Sequence, residues 1–112
     1  MSASYHLIRF EGALDISRYP EIRKAFEEAP ASVPTLVDLT DADSVDSIFL
    51  SELLMARRRS DAPFAVLIAP ASQLSRLFDI AGLGPKVNVH TDLTKAVEAL
   101  GLGQEADRLT TD

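Results

Sequence analysis

The sequence predicts an α/β fold: one domain with a mixed, mostly parallel central sheet of about five strands, covered by about four helices. Three observations predict it. Strand-type segments alternate with helix-type segments along the chain, which implies crossover connections and therefore parallel pairing. Phe64-Ala65-Val66-Leu67-Ile68-Ala69 is a nearly unbroken apolar run, the pattern of a strand buried on both faces. Leu74, Leu77, Phe78 and Ala81 repeat at the i, i+3, i+4, i+7 spacing of a helix lying on a core.

Taken in order, Tyr5-His6-Leu7-Ile8-Arg9-Phe10 has the aromatic and β-branched content of a strand. Glu11-Gly12 is a turn signal, so Ala13-Leu14-Asp15-Ile16 is expected to return as the second arm of a hairpin. Ser17 is a suitable N-cap and Pro20 falls in a first helical turn, where its missing N–H does no harm. The helix that follows turns Ile22, Phe26 and Ala29 inward, until Pro30 and Pro34 bracket a loop. Thr35 to Leu39 reads as the third strand and Thr40 to Val45 as an acidic turn; the second helix spans Ser47 to Arg59. After the strand at Phe64–Ala69, Ser72 caps the third helix, which Gly82 and Gly84-Pro85 stop. Val87 to His90 reads as a short strand. Thr91 or Asp92 then caps a last helix with Leu93, Ala96, Val97 and Leu100 inward, ended by Gly101 or Gly103. Residues 1–103 thus form the domain and 104–112 a polar tail expected to fray.

Composition excludes several classes of function. With 11 Lys and Arg against 17 Asp and Glu the net charge is -6, so the chain lacks the basic footprint that binds nucleic-acid backbones. Arg57-Arg58-Arg59 is the one basic cluster, and cations in the last turn of a helix complement its dipole. The absence of cysteine removes disulfides, thiolate metal sites and cysteine nucleophiles, and fits a reducing cytoplasm. Neither a signal peptide nor an apolar run near the ~20 residues of a membrane span is present. The expectation is a soluble cytoplasmic protein.

Candidate chemistry is sparse. Asp38, Asp41, Asp43 and Asp46 crowd one segment, whereas a divalent-cation or phosphoacceptor site draws its acids from the ends of different strands. His6 and His90 lie on different strands with no second ligand nearby, and Gly82-Leu83-Gly84 follows a helix instead of opening one. No nucleophile, base and oxyanion set can be assembled, so neither an enzyme nor a bound cofactor or metal is expected. The second helix offers more. At about 100° per residue, Phe49, Leu50, Leu53, Leu54 and Ala56 gather on one side, facing the core. Ser47, Ile48, Ser51, Glu52, Met55, Arg58 and Arg59 gather on the other. Ile48 and Met55 on that polar side are either chance exposure or the anchors of a protein–protein contact.

Gly12-Ala13-Leu14-Asp15 before a Pro-containing helix start, Leu36-Val37-Asp38-Leu39, and Val45-Asp46-Ser47 at the next helix together resemble the STAS domain of bacterial anti-sigma factor antagonists. Leu77-Phe78-Asp79-Ile80-Ala81-Gly82-Leu83 and Asp92-Leu93-Thr94-Lys95-Ala96 are similar to that family's third helix and to the entry of its last one. The resemblance covers roughly residues 5–100 in register. It implies a non-catalytic module that binds an anti-sigma factor, commonly a serine kinase-like protein, through the start of the second helix. It implies a phosphoswitch as well, on a Ser or Thr in a motif like Asp-Ser-Ser/Thr-Gly-Leu. Aligned without gaps, Asp46 and Ser47 match the Asp-Ser pair and Leu50 the final leucine, but Ile48 stands at the acceptor position and Phe49 at the glycine. Isoleucine cannot be phosphorylated, so the conventional switch is not expected. Ser47 is the adjacent hydroxyl; it reads first as the helix N-cap, with a phosphosite as the alternative. The expected partner surface is Asp46, Ser47, Ile48, Ser51, Glu52, Met55 and Arg58. STAS-like domains also serve as accessory subunits of lipid or small-molecule transport systems, which is the alternative the resemblance implies.

Overall fold

Neighbouring parallel strands can be joined only by a crossover, and a crossover of one constant hand along a sequentially ordered sheet delivers every connecting helix to the same face. The computed structural model, which describes residues 5–101, has this arrangement. Strands β1 (His6–Leu14), β2 (Thr35–Val45), β3 (Phe64–Leu67) and β4 (Val89–His90) lie in the order β1-β2-β3-β4, each pair parallel. A 3-10 turn (Ile16–Arg18) and α1 (Tyr19–Glu27) connect the first pair, and α2 (Ser47–Arg59) the second. Helices α3 (Gln73–Ile80) and α4 (Gly84–Val87) connect the third, and α5 (Leu93–Ala99) follows β4.

Strand alternation divides the core in two. Ile8, Phe10 and Leu14 of β1, Val37 and Leu39 of β2, and Phe64 and Val66 of β3 point to one face. They pack there with Ile22 and Phe26 of α1, Phe49, Leu53 and Ala56 of α2, and Leu74 and Phe78 of α3. The intervening Leu36, Ala65 and Leu67 point the other way and meet Ala96 of α5 and Leu100 at its C-terminal cap. Residues 64–68 are all buried, as the apolar run requires of a strand covered on both faces.

The fold is α/β, but no hairpin opens it. Gly12 takes φ +75 and the β1–β2 register shifts between Arg9 and Glu11 and again between Gly12 and Ala13. Glycine's freedom at positive φ is thus spent on an irregularity inside one long strand, not on a reversal. The sheet of the described residues is therefore four-stranded and wholly parallel instead of five-stranded and mixed. Because β1 runs on to Leu14, β2 has a partner as far as Val45, and the expected acidic turn at Thr40–Val45 is strand.

Local signals explain the remaining boundaries. Asp15, not Ser17, caps the 3-10 turn, accepting from the Ser17 N–H at 3.0 Å, and Pro20 enters α1 in its first turn. Helix α3 starts on the Ser72 hydroxyl and ends in a Schellman arrangement. Gly82 (φ +66) donates to the Asp79 carbonyl at 3.1 Å, Leu83 donates to Phe78 at 3.0 Å, and both Leu83 and Phe78 are buried. Residues 84–87, expected partly as strand, form the single turn α4 with Pro85 near its start; Asn88 at φ +62 ends it and leaves only Val89–His90 for β4. Asp92 caps α5 through the Lys95 N–H at 3.1 Å. Leu93 and Ala81, expected inward, are exposed. Gly103 and the polar tail at 104–112 lie outside the described residues. No helix among those described is long and apolar enough to cross a membrane.

Candidate functional site

The start of α2 is pinned at three points. Asp46 is extended, its Oδ1 accepts the Phe49 N–H at 2.9 Å, and its carbonyl accepts the first helical bond from Leu50 at 3.1 Å. Its own N–H donates to the Leu14 carbonyl at 3.2 Å, tying the cap to the last residue of β1. Phe49, the third residue of α2, is fully buried and closes a triad with Phe10 (5.3 Å between ring centroids, edge-on) and Phe26 (5.9 Å). The segment leaving β1 and the first turns of α2 are therefore held side by side at the C-terminal ends of the strands.

A groove of about 350 Å³ runs between them, lined by Ile16, Tyr19, Ser47, Ile48, Ser51 and Glu52. Four of the seven expected partner-surface residues come together here. Ser47 and Ser51 are exposed, Ile48 is half-buried, and Glu52 forms part of the floor. The other three do not join them. Asp46 spends its carboxylate on the cap, while Met55 and Arg58 are exposed further along the helix and outside the groove. Ser47 is the first residue of α2, not its cap, so its hydroxyl is left open to solvent.

Glu52 departs furthest from the helical-wheel expectation. Placed on the solvent side by its position in the turn, it is only 8% exposed. Tyr19, on the adjacent α1, accounts for the difference: its hydroxyl donates to Glu52 Oε2 at 3.2 Å. Arg23, one turn along α1, donates through Nη1 to the Tyr19 oxygen at 2.9 Å and pairs through Nε with Glu27 at 3.1 Å. Those two bonds, Glu27 foremost, hold the Arg23 guanidinium above its ordinary pKa. Sequence reasoning missed Ile16 and Tyr19. Ile16, which the sequence pattern places in a strand, is 66% exposed at the groove's edge, immediately after the Asp15 cap. The Asp15-Ile16-Ser17 pattern, a cap followed by an apolar residue with no helical mate, was the available signal.

The remaining candidates have structural partners. Asp38 Oδ1 accepts from the Thr40 N–H (2.9 Å) and hydroxyl (2.7 Å), Asp41 pairs with Arg9 at 2.6 Å, and Asp43 is exposed, so the four aspartates do not converge. His90 Nε2 bonds Asn88 Oδ1 at 2.9 Å, in an arrangement that steadies the left-handed Asn88, while His6 is half-buried at the start of β1. At the opposite end of the sheet a second cavity of about 440 Å³ lies under the loop after α1, walled by Ile8, Phe26, Pro30, Ala56 and Phe64, with Arg59 among its polar residues.

No family model matches the chain, and no curated protein matches it. The groove offers an apolar rim, two hydroxyls and the carboxylate of Glu52, a set suited to recognising a complementary protein surface.

Proposed function

We propose that the protein is a cytoplasmic interaction module that acts as an anti-sigma factor antagonist does, docking an anti-sigma factor or related kinase-like partner at the start of α2. The observation that carries the reading is the groove itself. Four of the seven residues expected at the partner surface, Ser47, half-buried Ile48, Ser51 and Glu52, share one concave surface with exposed Ile16. Apolar anchors framed by polar groups are the usual composition of a contact centre. Ile48 occupies the family's phosphoacceptor position, so docking is constitutive there, and Ser47 is the one neighbouring hydroxyl we assign as a possible modification site.

Ile48→Glu tests the docking. A tagged full-length chain purified from its own cells should carry a kinase-like anti-sigma protein, and the I48E variant should lose it while keeping the wild-type circular dichroism and melting temperature. Equal recovery on both baits would refute the docking surface. Phosphopeptide mapping after incubation with that partner decides whether Ser47 is modified.

A second reading, an accessory domain of a lipid or small-molecule transport system, is favoured by the apolar cavity under the loop after α1. Co-purification of a transporter ATPase in place of the kinase-like protein would select it.

A further inference from the structure

Burying an ionised carboxylate is costly unless a charged or strongly hydrogen-bonding partner compensates it, and buried charges in folded proteins are accordingly paired. Glu52 is 8% exposed, yet among the described residues no Lys, Arg or His nitrogen lies within 4.0 Å of its carboxylate. Its hydrogen-bond partner there is the neutral Tyr19 hydroxyl, on Oε2 at 3.2 Å. A carboxylate has about four acceptor positions; no buried side-chain oxygen among the described residues lacks a partner, so the Glu52 oxygen that Tyr19 does not reach is open to the groove that Glu52 lines. Arg23 cannot supply the missing charge directly, because its guanidinium is engaged by Glu27 and by the far side of the Tyr19 oxygen.

We infer that the groove at the start of α2 receives a basic side chain of the partner protein, with Glu52 as its counter-charge. This rests on the docking reading and adds the chemistry of what docks. The groove matches such a group along its whole length. Ile16 and Ile48 would lie against the aliphatic stem of a lysine or arginine, and the Ser47 and Ser51 hydroxyls would accept hydrogen bonds from its head. The net charge of -6 attracts a basic surface at long range, and such a field speeds encounter and selects orientation. The occupant is thus a protein segment that projects a Lys or Arg beside an apolar residue.

Three small probes read the charge preference directly: hexylammonium, hexylguanidinium and neutral hexanol, titrated into the full-length protein and followed through amide NMR shifts. Both cations should move the Tyr19 and Ser47–Glu52 amides and bind at least fivefold more tightly than hexanol, with the gap closing as salt is raised. In Glu52→Gln the preference should fall below twofold. Tyr19→Phe keeps the carboxylate and removes its neutral donor, so there the preference should persist; its loss would mean that Glu52 acts only as part of a structural hydrogen bond. Equal binding of hexanol and the cations, or an unchanged preference in E52Q, would overturn the assignment. Partner capture separates this inference from the one beneath it. Capture lost in I48E but intact in E52Q leaves the docking surface and removes the basic side chain. Capture intact in I48E with the cation preference present removes the docking surface and leaves a cation site. Concentration-dependent self-association abolished by E52Q would place a second copy's Arg57–Arg59 run in the groove and overturn the assignment to a partner.

Discussion

Phe49 is the residue through which the site depends on the core, and replacing it gives the sharpest test of the packing described above. Its ring is fully buried between the sheet and α1, with Phe10 and Phe26 at centroid distances of 5.3 and 5.9 Å. Truncating a buried phenylalanine to alanine removes its transfer free energy and leaves a cavity, together about 3–5 kcal/mol. With a urea m-value of about 1.2 kcal/mol/M for a domain of this size, a loss of about 4 kcal/mol lowers the denaturation midpoint by about 3 M. Domains of this kind have only about 5–15 kcal/mol in total, so F49A stands near the edge of folding. Phe49→Leu is the informative companion. It retains most of the volume, loses two aromatic contacts worth about 0.5–1.5 kcal/mol each, and should cost about 1.5–2.5 kcal/mol with an unchanged m-value. Equilibrium unfolding followed by circular dichroism supplies both numbers. A cost below about 1 kcal/mol for F49A would refute the triad as the anchor of α2.

Two further predictions concern charge. Asp46→Ala removes the α2 cap and should cost about 0.5–2 kcal/mol, whereas Ser47→Ala, one residue inside the helix, should stay within about 0.5 kcal/mol; the reverse order in urea unfolding would return the cap to Ser47. The Arg18 guanidinium, hydrogen-bonded at 2.7 Å, holds the Glu21 carboxylate below its ordinary pKa. A carboxylate depressed in the folded state stabilises the fold at pH values above its unfolded pKa, near 4, and the contribution disappears as pH falls through the lower folded value. The difference in melting temperature between wild type and Glu21→Gln should therefore be present at pH 6 and shrink below about pH 4; a difference that does not change with pH would exclude the ion pair as its source.

How much was legible in the sequence depended on whether a local signal had competition. Helix α2 could be delimited at Ser47–Arg59 because an apolar period and the closing Ser60-Asp61-Ala62-Pro63 agree, although the cap expected on Ser47 is supplied by Asp46. The run at Phe64–Ile68 could be read as a central strand because only burial on both faces explains five consecutive apolar residues. Glu11-Gly12 was different. A glycine that can adopt positive φ serves a hairpin turn and a bulge equally well, and the choice rests on β2, about 30 residues away, whose length gives the second half of β1 a parallel partner. No local pattern carries that information. The four-residue α4 was likewise hidden, since Gly84 and Pro85 argue against a helix interior but are both acceptable in the first turn of one.

Glu52 shows why a groove residue can be placed correctly on a helix and still be misread. A helical wheel distinguishes the side facing the sheet from the side opposite, which suffices for Phe49 and Leu53. Here the helices between β1 and β3 lie on one face of the sheet, so α2 has a third side, turned towards α1. Glu52 lies on it, where the distinction between core and solvent fails. That side is buried, but its partners are Tyr19 and, behind it, Arg23, and they arrive from a segment whose own start was displaced by the expected hairpin. The two errors are one. Once β1 is a single strand ending at Leu14, Asp15 caps the turn that follows, Ile16 is left exposed, and Tyr19 opens α1 within reach of Glu52. The groove is a consequence of the parallel topology: it forms where the exit from one strand and the helix entry after the next are joined by the Asp46-to-Leu14 hydrogen bond, and Glu52 is mostly covered because it lies between α2 and Tyr19 of α1.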